Sequence, residues 1–191
     1  MKVKHAVISI ALAAICFAPL RLAHGQIPAG AQRAMFFVDI KGAKQGQFKA
    51  ENMLQGVHKG GIEGVKFSSQ MSSPRDMATG NPSGKRQYSA ITFTKLWGPS
   101  SPQMIQACTT NESLTVTFEF VKAGLGGKEI VYQTIKLTGA TISSVKRYID
   151  VSMGNEAPDP RELEDVSFTF QKIDIIDANG AAVTDDWVAL R

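Results

Sequence analysis

The chain has 191 residues, 21 Lys+Arg, 17 Asp+Glu and a formal net charge of +4. Two Cys in that length exclude a disulfide-stapled scaffold, and beyond residue 25 only one Cys and one His remain, too few for a typical zinc site. The basic excess lies before residue 26, so the charge balance gives no ground for a nucleic-acid or anionic-lipid partner.

Residues 1–25 have the layout of a secretory signal peptide. Lys2 and Lys4 form a basic start, Ala6 to Ala18 is almost wholly apolar, and Ala23-His24-Gly25 supplies small residues around a cleavage site after Gly25. A spanning helix needs about 18 or more apolar residues, and Pro19 and Arg21 interrupt this run. No stable membrane insertion is therefore expected after cleavage, and the product is expected in the periplasm or outside the cell. The segment holds Lys2, Lys4 and Arg21 and no acidic residue, so its removal leaves 18 basic against 17 acidic groups, a net charge of +1. It also leaves Cys108 and His58 as the only Cys and His, and no intrachain disulfide can form. The 166 residues from Gln26 to Arg191 fit one domain, which at that size buries about 70% of its unfolded surface.

Gln26 to Arg33 is a short polar lead-in. Ala34 to Ile40 predicts a first apolar strand, and Lys41 to Gln47 a turn. Ile62 to Ser69 predicts a second strand with Val65 and Phe67 on one face. Met71 to Lys85 is a long polar loop with two Pro and two Gly. Loops of that length within compact domains are usually functional or disordered. Gln87 to Thr94 predicts a strand with Ile91 and Phe93 on one face.

Ser101 as N-cap and Pro102 at the first helical position predict one short helix, with Met104, Ala107 and Cys108 at helical spacing, ending before Thr109-Thr110-Asn111. Leu114 to Lys122 alternates most clearly: Leu114, Val116, Phe118 and Phe120 against Thr115, Thr117 and Glu119. Gly124 to Gly127 predicts a hairpin turn into a strand Glu129 to Leu137. Thr141 to Ile149 predicts another strand, Asn155 to Asp165 an acidic loop, and Val166 to Ile176 a last strand with Val166, Phe168 and Phe170 inward. Asp177 to Gly180 turns the chain, and residues 179–191 form a tail carrying Trp187. Short strands, regular turns and one helix predict a mainly β fold, an antiparallel barrel or two-sheet sandwich with a flanking helix.

Catalytic constellations fail on residue supply. A nucleophile–His arrangement needs a His, and His58 lies in a turn-like His-Lys-Gly-Gly. Cys108 on the apolar helix face predicts a buried structural thiol. Gly126-Gly127-Lys128 is followed by Glu129 rather than Ser or Thr, and it joins two strands, so it is a hairpin turn and not a phosphate loop. The twelfth position from Asp177 is Val188, where a calcium loop needs Glu. The strand aromatics alternate with Thr, Ser and Glu, which marks a core and not a single-strand nucleic-acid platform. No catalytic, cofactor or metal residue is assigned, and the chain is not expected to be an enzyme. Carboxylates are plentiful but no pair stands out, so an extracellular hydrolase remains the lesser alternative.

Five blocks resemble the Hcp (haemolysin-coregulated protein) family of type VI secretion tube subunits. Ala34-Met-Phe-Phe-Val-Asp-Ile-Lys-Gly42 resembles the family's opening strand. His58-Lys-Gly-Gly-Ile-Glu63 is similar to its His-Lys-Gly-x-Ile-Glu start of the second strand, lengthened here by Gly64. Phe93-Thr-Lys95 with Ser101-Pro102 and Gln106-Ala107-Cys108 resembles its strand-then-helix signature. Leu137 to Ser144 and Glu164 to Ile173 are similar to two later strands. The blocks fall in family order from Ala34 to Asp177.

The resemblance implies an Hcp-like domain over residues 34–178, a homohexameric ring, rings that stack into a tube, and a lumen able to hold effector proteins. It also implies that the Met71 to Lys85 loop reaches neighbouring subunits or the next ring. Arg75, Asp76, Lys85 and Arg86 are the candidate subunit-interface residues, because charges on a protruding loop set register between partners. Family members lack a cleavable leader. The pattern over residues 1–25 therefore motivates a second reading, an exported Hcp-fold binding or effector-like protein that works without a sheath.

Overall fold

The computed structural model describes residues 36–50, 61–123, 129–152 and 159–187. The signal-like segment, the lead-in, His58 and the Gly124–Gly127 turn lie outside the described residues.

The first strand, β1 (Phe36–Gly42), turns into the short β2 (Gly46–Gln47). Next come β3 (Ile62–Gly64), β4 (Lys66–Ser68), β5 (Met71–Ser72), β6 (Gln87–Tyr88) and β7 (Ile91–Leu96). The helix α1 (Ser101–Thr110) precedes β8 (Leu114–Ala123), β9 (Glu129–Ser152), β10 (Asp159–Thr169), β11 (Lys172–Asp177) and β12 (Ala182–Asp186). All pairings are antiparallel. The main ladder runs β2-β1-β8-β9-β10-β7-β4, with β3 on β1, β11 on β9 and β12 on β11.

This is a mainly β, barrel-like sandwich. Its strands fold back on one another because β9 serves both sides: Glu129–Ala140 pairs β8, and Thr141–Ser152 pairs β10. On the opposite edge β3 lies on β1 and β4 lies on β7. The break between them at Val65 leaves the sheet unclosed.

Period-2 alternation supplies the core. Phe36, Val38 and Ile40 of β1 meet Val116, Phe118 and Phe120 of β8, and Ile91 and Phe93 of β7 meet Val166 and Phe168 of β10. Phe93 stacks on Phe168 at 5.8 Å, and Phe118 stands edge-on to Phe93 at 5.8 Å. Met104 and Ala107 of α1 complete the packing.

Several expectations change in the structure. The two strands expected at Glu129–Leu137 and Thr141–Ile149 are one 24-residue strand. Gly139, at φ +61°, bends it without ending it, since glycine reaches that region with no Cβ penalty. The expected last strand Val166–Ile176 instead breaks after Thr169 and resumes at Lys172. Both strands turn the same corner together: Gln171 N–H donates to the Thr138 carbonyl at 3.2 Å, and its side chain lies where a Cβ on Gly139 would fall.

The described part of the expected acidic loop, 159–165, belongs to β10, because ladder pairing with β9 outweighs its loop-like composition. Ile62–Ser69 is kinked at Val65, which is 42% exposed, while Phe67 packs edge-on against Phe36, Phe118 and Phe120. Val65 and Phe67 therefore do not share a buried face. Gln87–Thr94 is likewise split between β6 and β7. The N-cap position is Ser100 rather than Ser101, and the helix runs through Thr110 to Asn111, whose φ of 48° ends it. The start of the expected tail is a strand, β12, paired with β11.

Candidate assembly surface

The described residues contain no group of three His, Cys, Asp or Glu side chains able to hold a metal. Cys108 is partly rather than fully buried, against the rim of the core, because it falls at the edge of the helix face centred on Met104 and Ala107. The Asp177–Gly180 segment is a hairpin turn between β11 and β12, and the Asp177 carboxylate accepts from both the backbone and the side chain of Asn179. Those bonds hold its carboxyl below the usual range.

The Met71–Lys85 segment, together with Arg86 and β6, forms an arm over residues 71–88. At its base β5 pairs β6, Met71 opposite Tyr88 and Ser72 opposite Gln87, and a bridge joins Arg75 to Pro82 further out. At the tip, Asp76 Oδ1 accepts from the Ala78 and Thr79 N–H groups and from the Thr79 hydroxyl at 2.8 Å. The Thr79 hydroxyl and N–H in particular hold the Asp76 carboxyl below its usual range. Arg75 donates to the Gly80 carbonyl at 3.2 Å. Met77 is 100% exposed.

The four candidate residues thus divide. Arg75 and Asp76 shape the outer arm, Lys85 is exposed near its base, and Arg86 turns inward to the chain's own Asp185. Both guanidinium nitrogens that face Asp185, Nε and one Nη, donate to its two carboxylate oxygens, and the Tyr88 hydroxyl donates to it at 2.9 Å. Asp185 lies in the segment expected as tail, and no sequence signal tied it to the arm.

A second charged cluster sits where α1 meets β7 and β10. Lys95 and Glu164 are both fully buried, 3.0 Å apart. Lys95 Nζ also donates to the Leu96 carbonyl at 2.7 Å, and Ser101 Oγ donates to Glu164 Oε1 at 2.8 Å. Arg147 Nε lies 3.5 Å from Glu164 Oε2, and its guanidinium lies 3.9 Å from the centre of the Trp97 ring. Trp97, Pro102, Ile105 and Arg147 line an open cleft of about 470 Å³ there. Alternation would have revealed the pair: Lys95 continues the inward set Ile91, Phe93, and Glu164 continues Val166, Phe168.

Glu112, just beyond α1, locks the helix end to the β1–β2 turn. Its carboxylate accepts from the Lys44 and Gln45 N–H groups and the Gln45 side chain, the last two at 2.8 Å. Burial pushes this carboxyl up, but those bonds and the Lys44 charge together hold it below its usual range.

These charged contacts each tie one segment of the chain to another: the arm to β12, α1 to β10, and the end of α1 to the β1–β2 turn. The family model described as "Type VI secretion system effector, Hcp" matches residues 37–176. The major exported protein of Pseudomonas aeruginosa is 29% identical over 161 residues, spanning 79% of this chain and 94% of that relative. A crystal structure of an Hcp protein superposes with a TM-score of 0.70 at 26% identity, covering 80% of this chain and 98% of the other. The secreted protein Hcp3 from Pseudomonas aeruginosa superposes with a TM-score of 0.63 at 25% identity, covering 80% and 97%. The match spans the β body from β1 into β11, and the chain belongs to the Hcp family of the type VI secretion system.

Proposed function

We propose that the chain is a tube subunit of a type VI secretion apparatus, closing into a homohexameric ring whose stacked copies enclose a lumen for effector proteins. The carrying observation is the family match over residues 37–176, which takes in the arm, α1 and the strands from β1 into β11. The work is mechanical and binding work. The body over residues 34–178, with β12 added to it, is the ring-forming part. The arm, with Arg75, Asp76 and Lys85 outward, is the surface offered to neighbouring copies. Closed cyclic assembly also offers an open sheet a way to cover its strand edges, which are a hazard when exposed.

The pattern of residues 1–25 favours a second reading: a signal cleaved after Gly25 that sends an Hcp-fold binding protein out of the cytoplasm without a sheath. One experiment separates the two. Export of the full chain is compared between cells with an intact and a sheath-deficient type VI apparatus, and the intact mass of the exported product is measured. Apparatus-dependent export of a chain retaining Met1 supports the tube subunit. Apparatus-independent export of a product beginning at Gln26 supports the second reading and removes the first.

A further inference from the structure

We infer that Asp185 on β12 is the positioning residue of the arm: it fixes the direction in which residues 71–88 project, without itself belonging to the arm's outer surface. The inference rests on the proposed role of the arm in assembly for its functional meaning, but the clasp itself stands on geometry alone.

The arm is a narrow two-stranded ribbon with two ladder pairs at its base and one bridge further out. Such a ribbon is marginal in water by itself. The bonds of Asp76 and Arg75 are local, linking residues within five positions of each other. They shape the tip but cannot set its orientation relative to the body.

Orientation is set at the root. Arg86 and Tyr88 leave the arm two residues apart and converge on one carboxylate, Asp185, which is only 8% exposed. The guanidinium presents a planar fork to both carboxylate oxygens, and a paired fork fixes angle as well as distance. The Tyr88 ring is held edge-on between Phe170 at 5.5 Å and Trp187 at 5.8 Å. Asp185 in turn cannot drift, because it stands opposite Ile173 in the β11–β12 ladder, and Ile173 is buried in the core. The path from core to arm therefore runs Ile173, Asp185, Arg86 and Tyr88. β12 acts as a fixed reference rail for a ribbon that would otherwise swing.

The test uses the full chain and two variants, Asp185→Asn and Arg86→Lys. The first keeps side-chain size and removes the charge; the second keeps the charge and removes the fork. Amide hydrogen exchange is followed over residues 71–88 and over β8, and assembly mass is measured on the same samples. The expected result is exchange faster on the order of tenfold or more in the arm for Asp185→Asn, a smaller rise for Arg86→Lys, no change in β8, and weaker assembly. Arm exchange unchanged in both variants overturns the inference. An arm that loosens while assembly mass stays constant upholds the clasp and instead removes the arm's role in assembly. Should Asp185→Asn raise exchange in β8 as well, Arg86→Lys decides, its side chain being partly exposed: a rise confined to the arm supports the clasp, and none overturns it.

Discussion

Replacing Lys95 by Met removes an ammonium that sits in the interior directly against Glu164. Both side chains are 0% exposed and lie 3.0 Å apart. After Lys95→Met, Glu164 keeps the Ser101 hydroxyl at 2.8 Å and Arg147 at 3.5 Å, but it loses its nearest cation. Breaking one side of a buried pair costs about 3–5 kcal/mol, because the remaining charge stays desolvated. For a domain of this size that corresponds to a fall in melting temperature of roughly 6–20 °C. Glu164→Leu leaves Lys95 with the Leu96 carbonyl and the Ser101 hydroxyl, and it should cost a comparable amount. The double variant Lys95→Met/Glu164→Leu leaves no charge stranded between the two positions and should fall within about 1 kcal/mol of the parent. Urea denaturation of all four proteins, with equal m-values, gives the coupling directly. Single changes that each cost under about 1 kcal/mol, or a double change that costs the sum of the two, would show that Lys95 and Glu164 are not a coupled buried pair.

Glu112→Gln should cost about 2 kcal/mol near neutral pH, by weakening charge-assisted bonds to the β1–β2 turn. The native carboxyl is held below its usual range, so its contribution is present above the unfolded value and fades as pH falls through the folded one; denaturation curves of parent and variant should converge in acid. Gly139→Ala should cost about 1–3 kcal/mol, since φ is +61° and a Cβ would meet the Gln171 side chain at 2.7 Å. Adding Gln171→Ala should recover only part of that, because it relieves crowding but not the backbone, and thermal melts of the single and double variants read the difference. Gly64→Ala should destabilise more sharply than a surface change, as its Cβ would overlap the Phe36 ring; a melt indistinguishable from the parent would contradict that packing.

The parts of this fold that were legible are those where one local rule decides. Leu114 to Phe120 alternate so regularly that the inward face of β8 follows directly. Pro102 and the Met104–Ala107 spacing place the helix to within a residue at its start. What was hidden depends on partners distant in sequence. Nothing local says that Gly139 bends a strand instead of ending it; that requires Gln171 and β11 to turn beside it. Pro160 and the acidic residues around it look like loop, yet β9 is long enough to pair with them. The arm was visible as a long polar segment between two strands, whereas its anchor was not, since Arg86 and Asp185 are 99 positions apart. Of the four candidate interface residues, the one that proved to be engaged by the chain's own body is Arg86.

Cyclic self-assembly of the Hcp-like body is what the proposed role requires above all. It is tested most directly by light scattering on the chain from Gln26 to Arg191 over a concentration series. A homohexameric ring should give a mass six times that of one chain, holding on dilution. A single-chain mass across the whole series would contradict it.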